Sequence, residues 1–246
     1  MVDIHCHLLP GIDDGPAQLD DSAAMCAQLL ADGCSAVIAT PHQRHDLWPN
    51  EDLSELEALR RRVAELAPAG LAVHLGAEIR IDSELPADLE AGGAGIQPLA
   101  GGRHLLIEFD RREAPPMPGA VGLVHELTVL GWRPILAHPE LIPWLAEDLE
   151  TLGELVTSGA RLQVTAMSVT GEFGRWAQER CRRMLEAGIV HFVASDAHSP
   201  RLRPPGLSRA RQVIVERHGE ILAERLTSTH PAAVVADLPV PQDPLA

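Results

Sequence analysis

Short apolar segments rich in Val, Ile, Leu and Ala alternate along the chain with longer segments in which apolar residues recur at helical spacing. The short segments predict seven β-strands, at Val2–His5, Ala36–Thr40, Ala72–Gly76, His104–Phe109, Pro134–Ala137, Leu162–Thr165 and His191–Ala194. The longer segments predict helices at Asp20–Ala31, Glu51–Ala67, Gly119–Leu130, Glu147–Thr157, Arg175–Ala187 and Ser208–Arg217. Several of these helices end beside a glycine, which suits a left-handed cap, as at Gly33, Gly131, Gly159 and Gly188.

The alternation of strands and helices predicts βαβ units and therefore a parallel sheet in an α/β fold. Seven strands favour a closed or nearly closed barrel over an open sheet, and 246 residues suit a single barrel domain. Residues 81–102 break the rhythm and are expected to form a loop with short helices. The tail from about residue 239 contains three prolines and is expected to be poorly ordered.

Charge and composition exclude several classes of function. The formal net charge is −15 and no long run of Lys or Arg occurs, which disfavours a general binder of nucleic acid or of anionic membranes. Apolar residues make up 46% of the chain, enough for a sizeable core. No segment resembles a signal peptide or is long and apolar enough to span a bilayer, so we expect a cytoplasmic protein with no membrane insertion.

The four cysteines show no CxxC pairing, which favours reduced thiols. A cysteine-dependent phosphatase needs an arginine six positions after its cysteine, so that the intervening loop cradles the phosphate. Here the residues six positions after the cysteines are Ile12, Asp32, Thr40 and Ala187. The sequence therefore excludes that mechanism.

Residues that commonly bind metals follow six of the seven predicted strands. Because the carboxyl ends of parallel strands in a barrel meet at one rim, where active sites lie, we expect these side chains to be close together. They are His5, His7, His42, Glu78, Glu108, His138, Asp196 and His198.

Each of these signals is weak alone, since a His-x-His pair is often polar surface and a lone His138 is often an ordinary core histidine. Their recurrence at one end of consecutive strands favours a shared site. One of the adjacent residues Asp13 and Asp14 adds a further carboxylate, and spacing alone does not choose between them. Cys6, between two histidines, should point to the opposite face and serve packing.

The complete set has nine members, five imidazoles and four carboxylates, which exceeds what one zinc ion needs. Two or three divalent ions sharing bridging carboxylates would use them. Nitrogen and oxygen ligands without thiolate favour Mn, Fe or Zn, with Mg less suitable. Such a cluster would attract an anion and catalyse an in-line displacement, so phosphoester hydrolysis is the first expectation.

This pattern resembles the PHP (polymerase and histidinol phosphatase) superfamily. Within it, the chain is similar to the manganese-dependent protein-tyrosine phosphatases that accompany bacterial capsule and exopolysaccharide tyrosine kinases. The motifs that carry the resemblance span nearly the whole chain in matching order: DIHCHLLPGIDDGP, IATPH, LGAEI, LLIEF, LAHPE, QVTAMSVTGEFG and ASDAH followed by RPP. The resemblance implies a distorted (β/α)7 barrel with up to three manganese ions.

The resemblance also implies roles for individual residues. One metal would be held by His5, His7, Glu78 and Asp196, a second by Glu78, Glu108 and His138, and a third by Asp14, His42 and His198. Asp14 is chosen over Asp13 by the family's DDG turn alone. Arg203 matches an arginine placed to hold phosphate, and we expect it to act in catalysis together with Asp14 and His42.

One departure concerns the substrate. The family usually reads HPER where this chain reads HPEL, so Leu141 replaces an arginine that faces the substrate phosphate. An alkyl chain cannot replace a guanidinium–phosphate contact. Arg44 and Arg201 could supply part of the charge, although both are better interpreted as ordinary surface arginines.

Three hypotheses follow. The chain is a phosphatase for the phosphotyrosine-containing tail of a cognate tyrosine kinase, or a small-metabolite phosphatase such as a histidinol-phosphatase, or a binding module that retains metals but has lost turnover. The intact set of ligands disfavours the third hypothesis. The motifs QVTAMSVTG and DDGP favour the first over the second.

Overall fold

The computed structural model describes residues 1–112, 114 and 119–245. Its strands are β1 (Val2–Cys6), β2 (Ala36–Ala39), β3 (His42–Gln43), β4 (Ala72–Leu75), β5 (Glu78–Arg80), β6 (His104–Glu108), β7 (Arg133–Ala137), β8 (Arg161–Thr165) and β9 (Val190–Ala194). Its α-helices are α1 (Leu19–Ala31), α2 (Leu53–Leu66), α3 (Leu85–Glu90), α4 (Gly119–Val129), α5 (Leu149–Thr157), α6 (Ala166–Thr170), α7 (Arg175–Glu186), α8 (Ser208–His218), α9 (Glu220–Glu224) and α10 (His230–Val235). Short 3-10 turns lie at Leu99–Gly101 and Pro139–Leu141, and a π-helical turn at Arg225–Thr229.

The predicted elements are confirmed, with ends that shift by two residues or fewer. The predicted loop at residues 81–102 contains α3 and the turn at Leu99–Gly101, as expected. The sequence did not predict β3, β5, α6 or the helical segments after α8. All of these are short, so their periodicity is too brief to read.

The strands form a parallel β/α barrel that is broken into two hydrogen-bonded sheets. One sheet has the order β1-β2-β4 and the other the order β3-β5-β6-β7-β8-β9. β3 continues the path of β2 after Thr40 and Pro41, and β5 continues β4 after Gly76 and Ala77, so nine short strands follow seven paths within the described residues. The last path returns to the first through a parallel bridge between Cys6 and Ala197.

Two apolar layers position the rim. A buried interior cluster includes Ile4, Leu106, Ile135 and Phe192, one from each of four strands, and lies below the candidate ligands. A larger cluster fills the space between the strands and the surrounding helices. Because side chains alternate along a strand, Leu106 and Glu108 share the interior face of β6. The apolar interior thus supports a polar rim.

The register of β1 against β2 shifts between Asp3 and Cys6. Because of this irregularity, Ile4 joins the interior cluster while His5 still reaches the rim beside His7. Cys6 packs in the outer layer between strands and helices, as expected.

The tail lies against the opposite end of the barrel. The carbonyl oxygen of Val240 accepts a hydrogen bond from Arg161 Nε at 3.0 Å, and that of Gln242 lies 2.8 Å from His191 Nε2. Val240 itself is buried. The expectation of poor order from about residue 239 does not anticipate these contacts. Separately, among the residues that the structure describes, no helix has the length and apolar character needed to cross a bilayer.

Candidate functional site

The nine predicted ligand residues lie together at the carboxyl rim of the barrel. Their ligand atoms form four overlapping groups, in each of which all atoms lie within 4.8 Å of one another. The groups are His7 with Asp14, His42 and His198; His5 with His7 and Asp196; His5 with Glu78 and His138; and His42 with Glu78 and Glu108. Residues up to 193 positions apart therefore converge, with all nine expected residues included.

Glu78 is at the centre of this cluster and is almost completely buried. Its Oε1 lies 2.7 Å from His138 Nε2, and its Oε2 lies 3.0 Å from His42 Nδ1. The same Oε2 is 3.3 Å from His7 Nε2 and 3.5 Å from His5 Nε2. One carboxylate thus contacts four imidazoles, an arrangement suited to a bridging ligand.

His5 and His7 are oriented by side chains behind them. His7 Nδ1 lies 2.9 Å from Asp13 Oδ2, and His5 Nδ1 lies 2.9 Å from Gln163 Oε1. Since these oxygens only accept hydrogen bonds, each Nδ1 carries a proton, and each Nε2 faces the cluster, where it can give a lone pair to a cation that displaces its own proton. The two Nε2 atoms are 3.4 Å apart. Two nitrogen lone pairs at that distance cannot hydrogen-bond to each other, but both can bind the same cation.

The adjacent aspartates have different positions. Asp14 Oδ1 lies 3.2 Å from His198 Nε2 and 3.5 Å from His42 Nε2, on the side of the cluster that faces solvent. Asp13 also accepts the backbone N–H of His42 at 3.2 Å and of Gly15 at 2.8 Å. Asp14 thus belongs with the ligand atoms, whereas Asp13 holds the loop and His7 in place.

Asp13 and Gln163 are the site residues that sequence reasoning missed. Gln163 had a usable signal, because it is a polar amide in the middle of the predicted strand Leu162–Thr165, the one strand path without a candidate ligand. Asp13 had none, since spacing alone could not separate it from Asp14.

The histidines of the site keep the central carboxylate, Glu78, ionised. Burial raises the pKa of Glu78, but the neighbouring His5 and His42 outweigh it and hold the pKa well below the usual range. Burial opposes the charged form of His7, yet Asp13 raises its pKa to about 9. Burial is likewise outweighed at His42, where Glu78 and Asp14 raise the pKa to about 11. Without metal, protons on the histidines therefore balance the negative charges of the carboxylates. Bound divalent cations would take the place of those protons.

Two candidate ligands have unusual backbone conformations. His138 has φ of +34° and Asp196 has φ of +51°, in the left-handed region that residues with a Cβ rarely adopt. His138 comes directly after β7, and Asp196 is the second residue after the end of β9. Such strain is typical of functional sites, where the surrounding structure maintains it because the side chain must point in one direction.

The predicted phosphate-binding Arg203 lies beside the cluster. Its Nη2 is 2.6 Å from Asp196 Oδ2 and donates to the Asp196 carbonyl oxygen at 2.9 Å. Its Nη1 is 3.3 Å from His198 Nε2, and the guanidinium carbon lies 5.3 Å from the centre of the Phe173 ring. The structure thus brings Arg203 next to two of the candidate metal ligands.

The other predicted arginines are less suited to phosphate. Arg44 donates to both carboxylate oxygens of Asp82 at 2.9 Å and to Asp88 at 2.7 Å, so its charge is balanced away from the cluster. Arg201 has an exposed side chain. Leu141 is half-buried in the 3-10 turn after β7.

A cavity of about 660 Å³ opens above the cluster. Its outer wall includes an aromatic stack in which the Trp48 ring lies 4.8 Å from His45 and 5.3 Å from His42, nearly parallel to the latter. Leu47, beside them, is exposed. The mouth of the cavity therefore has an apolar, aromatic part, whereas its floor and the rest of its lining, which includes Asp46, Arg80, Arg111 and Arg112, are charged.

All four cysteines are free and buried. Burial raises the pKa of the Cys26 thiol to about 11 and those of Cys6 and Cys181 well above the ordinary value. None of the four lines the cavity. This agrees with the expectation that the chemistry does not use a thiolate nucleophile.

Comparison with known proteins identifies the family. A family model described as capsular polysaccharide synthesis, CpsB/CapC, matches residues 1–236. The chain belongs to the CpsB/CapC family. Tyrosine-protein phosphatase YwqE of Bacillus subtilis is 34% identical over 229 residues, which cover 92% of this chain and 89% of that protein. Tyrosine-protein phosphatase CpsB of Streptococcus pneumoniae is 29% identical over 248 residues, covering 96% and 99%.

The fold agrees with that of solved CpsB/CapC relatives. A structure from a crystallographic study of YwqE from Bacillus subtilis and CpsB from Streptococcus pneumoniae superposes with a TM-score of 0.88 at 31% sequence identity. The match covers 99% of this chain and 98% of the other. Those two proteins are described as unique metal-dependent tyrosine phosphatases.

Proposed function

We propose that this member of the CpsB/CapC family is a metal-dependent protein-tyrosine phosphatase. The observation that carries the proposal is the convergence of nine nitrogen and oxygen ligands on one rim of the barrel, below a cavity open to solvent. Similarity to relatives named tyrosine-protein phosphatases over nearly the whole chain supports the choice of substrate class.

The proposed cofactor is manganese, as two or three divalent ions. His5, His7, Glu78 and Asp196 would hold one ion, Glu78, Glu108 and His138 a second, and Asp14, His42 and His198 a third. Imidazole and carboxylate ligands without thiolate fit Mn, with Fe or Zn as alternatives and Mg less suited. Such ions, when bound, lower the pKa of water and stabilise the oxygens of an in-line phosphoryl displacement.

The protein's own residues have distinct proposed tasks. Asp13 and Gln163 hold His7 and His5 with their Nε2 atoms toward the cluster. Asp14 and His42 are at its solvent side, where they can act in catalysis through metal binding or proton transfer. Arg203 would bind a phosphate oxygen with a charge-assisted hydrogen bond.

The mouth of the cavity favours an aryl phosphate. With its phosphoryl group held by the residues of the cavity floor, the ring of a tyrosyl ester would reach toward Trp48 and His45, which line the same cavity. Offset or edge contacts between aromatic rings contribute about 0.5–1.5 kcal/mol. A small alkyl phosphate leaves that wall unused.

The proposed physiological substrate is the phosphotyrosine-containing tail of a cognate tyrosine kinase in polysaccharide synthesis or export. The family description as capsular polysaccharide synthesis supports this setting. A flexible tail would enter an open cavity more readily than a folded surface. Location in the cytoplasm, with the kinase tail, is part of the proposal.

The alternative is a phosphatase for a small metabolite such as histidinol phosphate. The observation that favours it is Leu141, which removes a charge that a phosphotyrosine phosphatase of this family would use. Values of kcat/KM for a phosphotyrosine peptide and for histidinol phosphate, measured with manganese-loaded protein, separate the two. We expect the peptide to be the better substrate, and preference for histidinol phosphate would reverse the assignment.

A further inference from the structure

Leu141 stands where the family has an arginine that faces the substrate phosphate. Another group must therefore balance the phosphate's negative charge beside the second proposed metal. Leu141 ends the 3-10 turn that follows β7 and His138. β7 pairs with β6, so the loop after β6 is the neighbouring loop on the same rim. A cation in that loop would approach the region from which the family's arginine is missing.

Several nearby arginines already have carboxylate partners. Arg44 binds Asp82 and Asp88. Arg80 lies on the cavity wall but contacts Asp110 and, at 3.3 Å, Asp46. Arg203 is engaged with Asp196 on the β9 side.

Arg111, like Arg203, contacts a candidate metal ligand, but that ligand is Glu108 at the end of β6, the strand beside the β7 turn that carries Leu141. Its Nε lies 3.4 Å from Glu108 Oε1, and Glu108 Oε1 lies 3.6 Å from His138 Nε2. The Arg111 side chain is 48% exposed and lines the same cavity as Glu108 and His138. The guanidinium is thus within reach of a group bound at that metal and is free to turn.

We infer that Arg111 binds the phosphoryl group of the substrate and compensates for Leu141. The ion pair with Glu108 is long, at 3.4 Å, and about half of the Arg111 side chain is exposed to solvent, which screens the charge, so a change of partner costs little. A metal held by Glu108 would share that carboxylate's charge, whereas a phosphate dianion offers several acceptors to one guanidinium. Arg203 and Arg111 then contact phosphate from the β9 side and the β6 side.

This inference rests on the proposed phosphatase function, and binding of inorganic phosphate tests it without turnover. Titration calorimetry of manganese-loaded protein with inorganic phosphate would be compared for wild type, Arg111→Ala, Arg111→Lys and Arg112→Ala. Arg112 is the charge-matched control, since it lines the same cavity one residue later, whereas the ion pair with Glu108 belongs to Arg111. Metal per chain is measured for each variant, because Arg111 contacts a proposed ligand.

Loss of a charged hydrogen bond to phosphate predicts that Arg111→Ala weakens phosphate binding about 10- to 100-fold with metal content unchanged. Arg112→Ala should have a clearly smaller effect, and Arg111→Lys an intermediate one. Adding Leu141→Arg to Arg111→Ala should restore much of the loss. The inference is wrong if Arg111→Ala matches Arg112→Ala, or if its effect follows loss of metal.

The two proposals fail separately. Wild-type protein that binds phosphate through Arg111 but does not hydrolyse a phosphotyrosine peptide would contradict the proposed function alone. Active wild-type protein whose phosphate affinity and kcat/KM are unaffected by Arg111→Ala would contradict this inference alone.

Discussion

Substitution of Glu78 by glutamine tests whether this residue bridges metals. The isosteric change keeps the side-chain volume but removes the negative charge and replaces one carboxylate oxygen with an NH2 group, which cannot bind a cation. Glu78 belongs to two of the four ligand groups, whereas Asp14 belongs to one. Glu78→Gln should therefore weaken two metal sites, and Asp14→Asn only one.

The contacts of Glu78 set the size of the effect. Its oxygens lie between 2.7 and 3.5 Å from four imidazoles. If a charged contact worth about 1.5–3 kcal/mol is lost at each of two metals, joint binding weakens by roughly 10²- to 10⁴-fold. The single contact of Asp14→Asn predicts about 10- to 100-fold.

The assay is elemental analysis of each variant after dialysis against a series of manganese concentrations. Circular dichroism of the metal-free proteins controls for folding, because Glu78 is buried. Equal manganese content in Glu78→Gln and Asp14→Asn, with both folded, would refute the bridging role.

Three further predictions follow from the same structure. Replacement of all four cysteines by alanine should leave phosphatase activity largely intact; loss of activity in a folded variant would point to a thiol. Trp48→Ala should lower kcat/KM for a phosphotyrosine peptide about 2- to 12-fold, from the 0.5–1.5 kcal/mol of an aromatic contact, and should affect an alkyl phosphate less; equal effects would exclude the ring contact. Burial lowers the pKa of His191 from 6.5 to about 4, because the fold accommodates only the neutral imidazole. As the pH falls from 6.5 toward 4, the unfolded chain takes up this proton more readily than the folded chain, and the folded state loses stability. For wild type this removes about 2 kcal/mol of unfolding free energy between pH 7 and pH 5, and His191→Gln should show a correspondingly shallower decline in urea unfolding.

The principal strands and helices could be predicted from the sequence, because each has a regular spacing of apolar residues along its own length. Leu106 and Glu108 illustrate this, since the same alternation that buries one predicts that the other faces the rim. The break of the barrel at Thr40–Pro41 and at Gly76–Ala77 could not be predicted from the sequence. It depends on how β3 and β5 pair with each other, and strands of two or three residues leave no readable pattern.

The ligand positions were predicted because they follow strands, whereas the residues that orient them were harder to recognise. Gln163 and Asp13 act through hydrogen bonds to His5 and His7, and those contacts depend on tertiary geometry. The partners of the arginines were likewise hidden. Nothing in the sequence distinguishes Arg44, which is held by two aspartates, from Arg111, which reaches a candidate ligand.

The most direct test of the account is hydrolysis of a phosphotyrosine peptide by protein stripped of metal and then reconstituted. Chelation should abolish turnover, and added Mn²⁺ should restore it, because nine converging ligands and four buried, protonated thiols leave catalysis to bound ions. Full turnover by protein shown by elemental analysis to contain no metal would contradict the central claim.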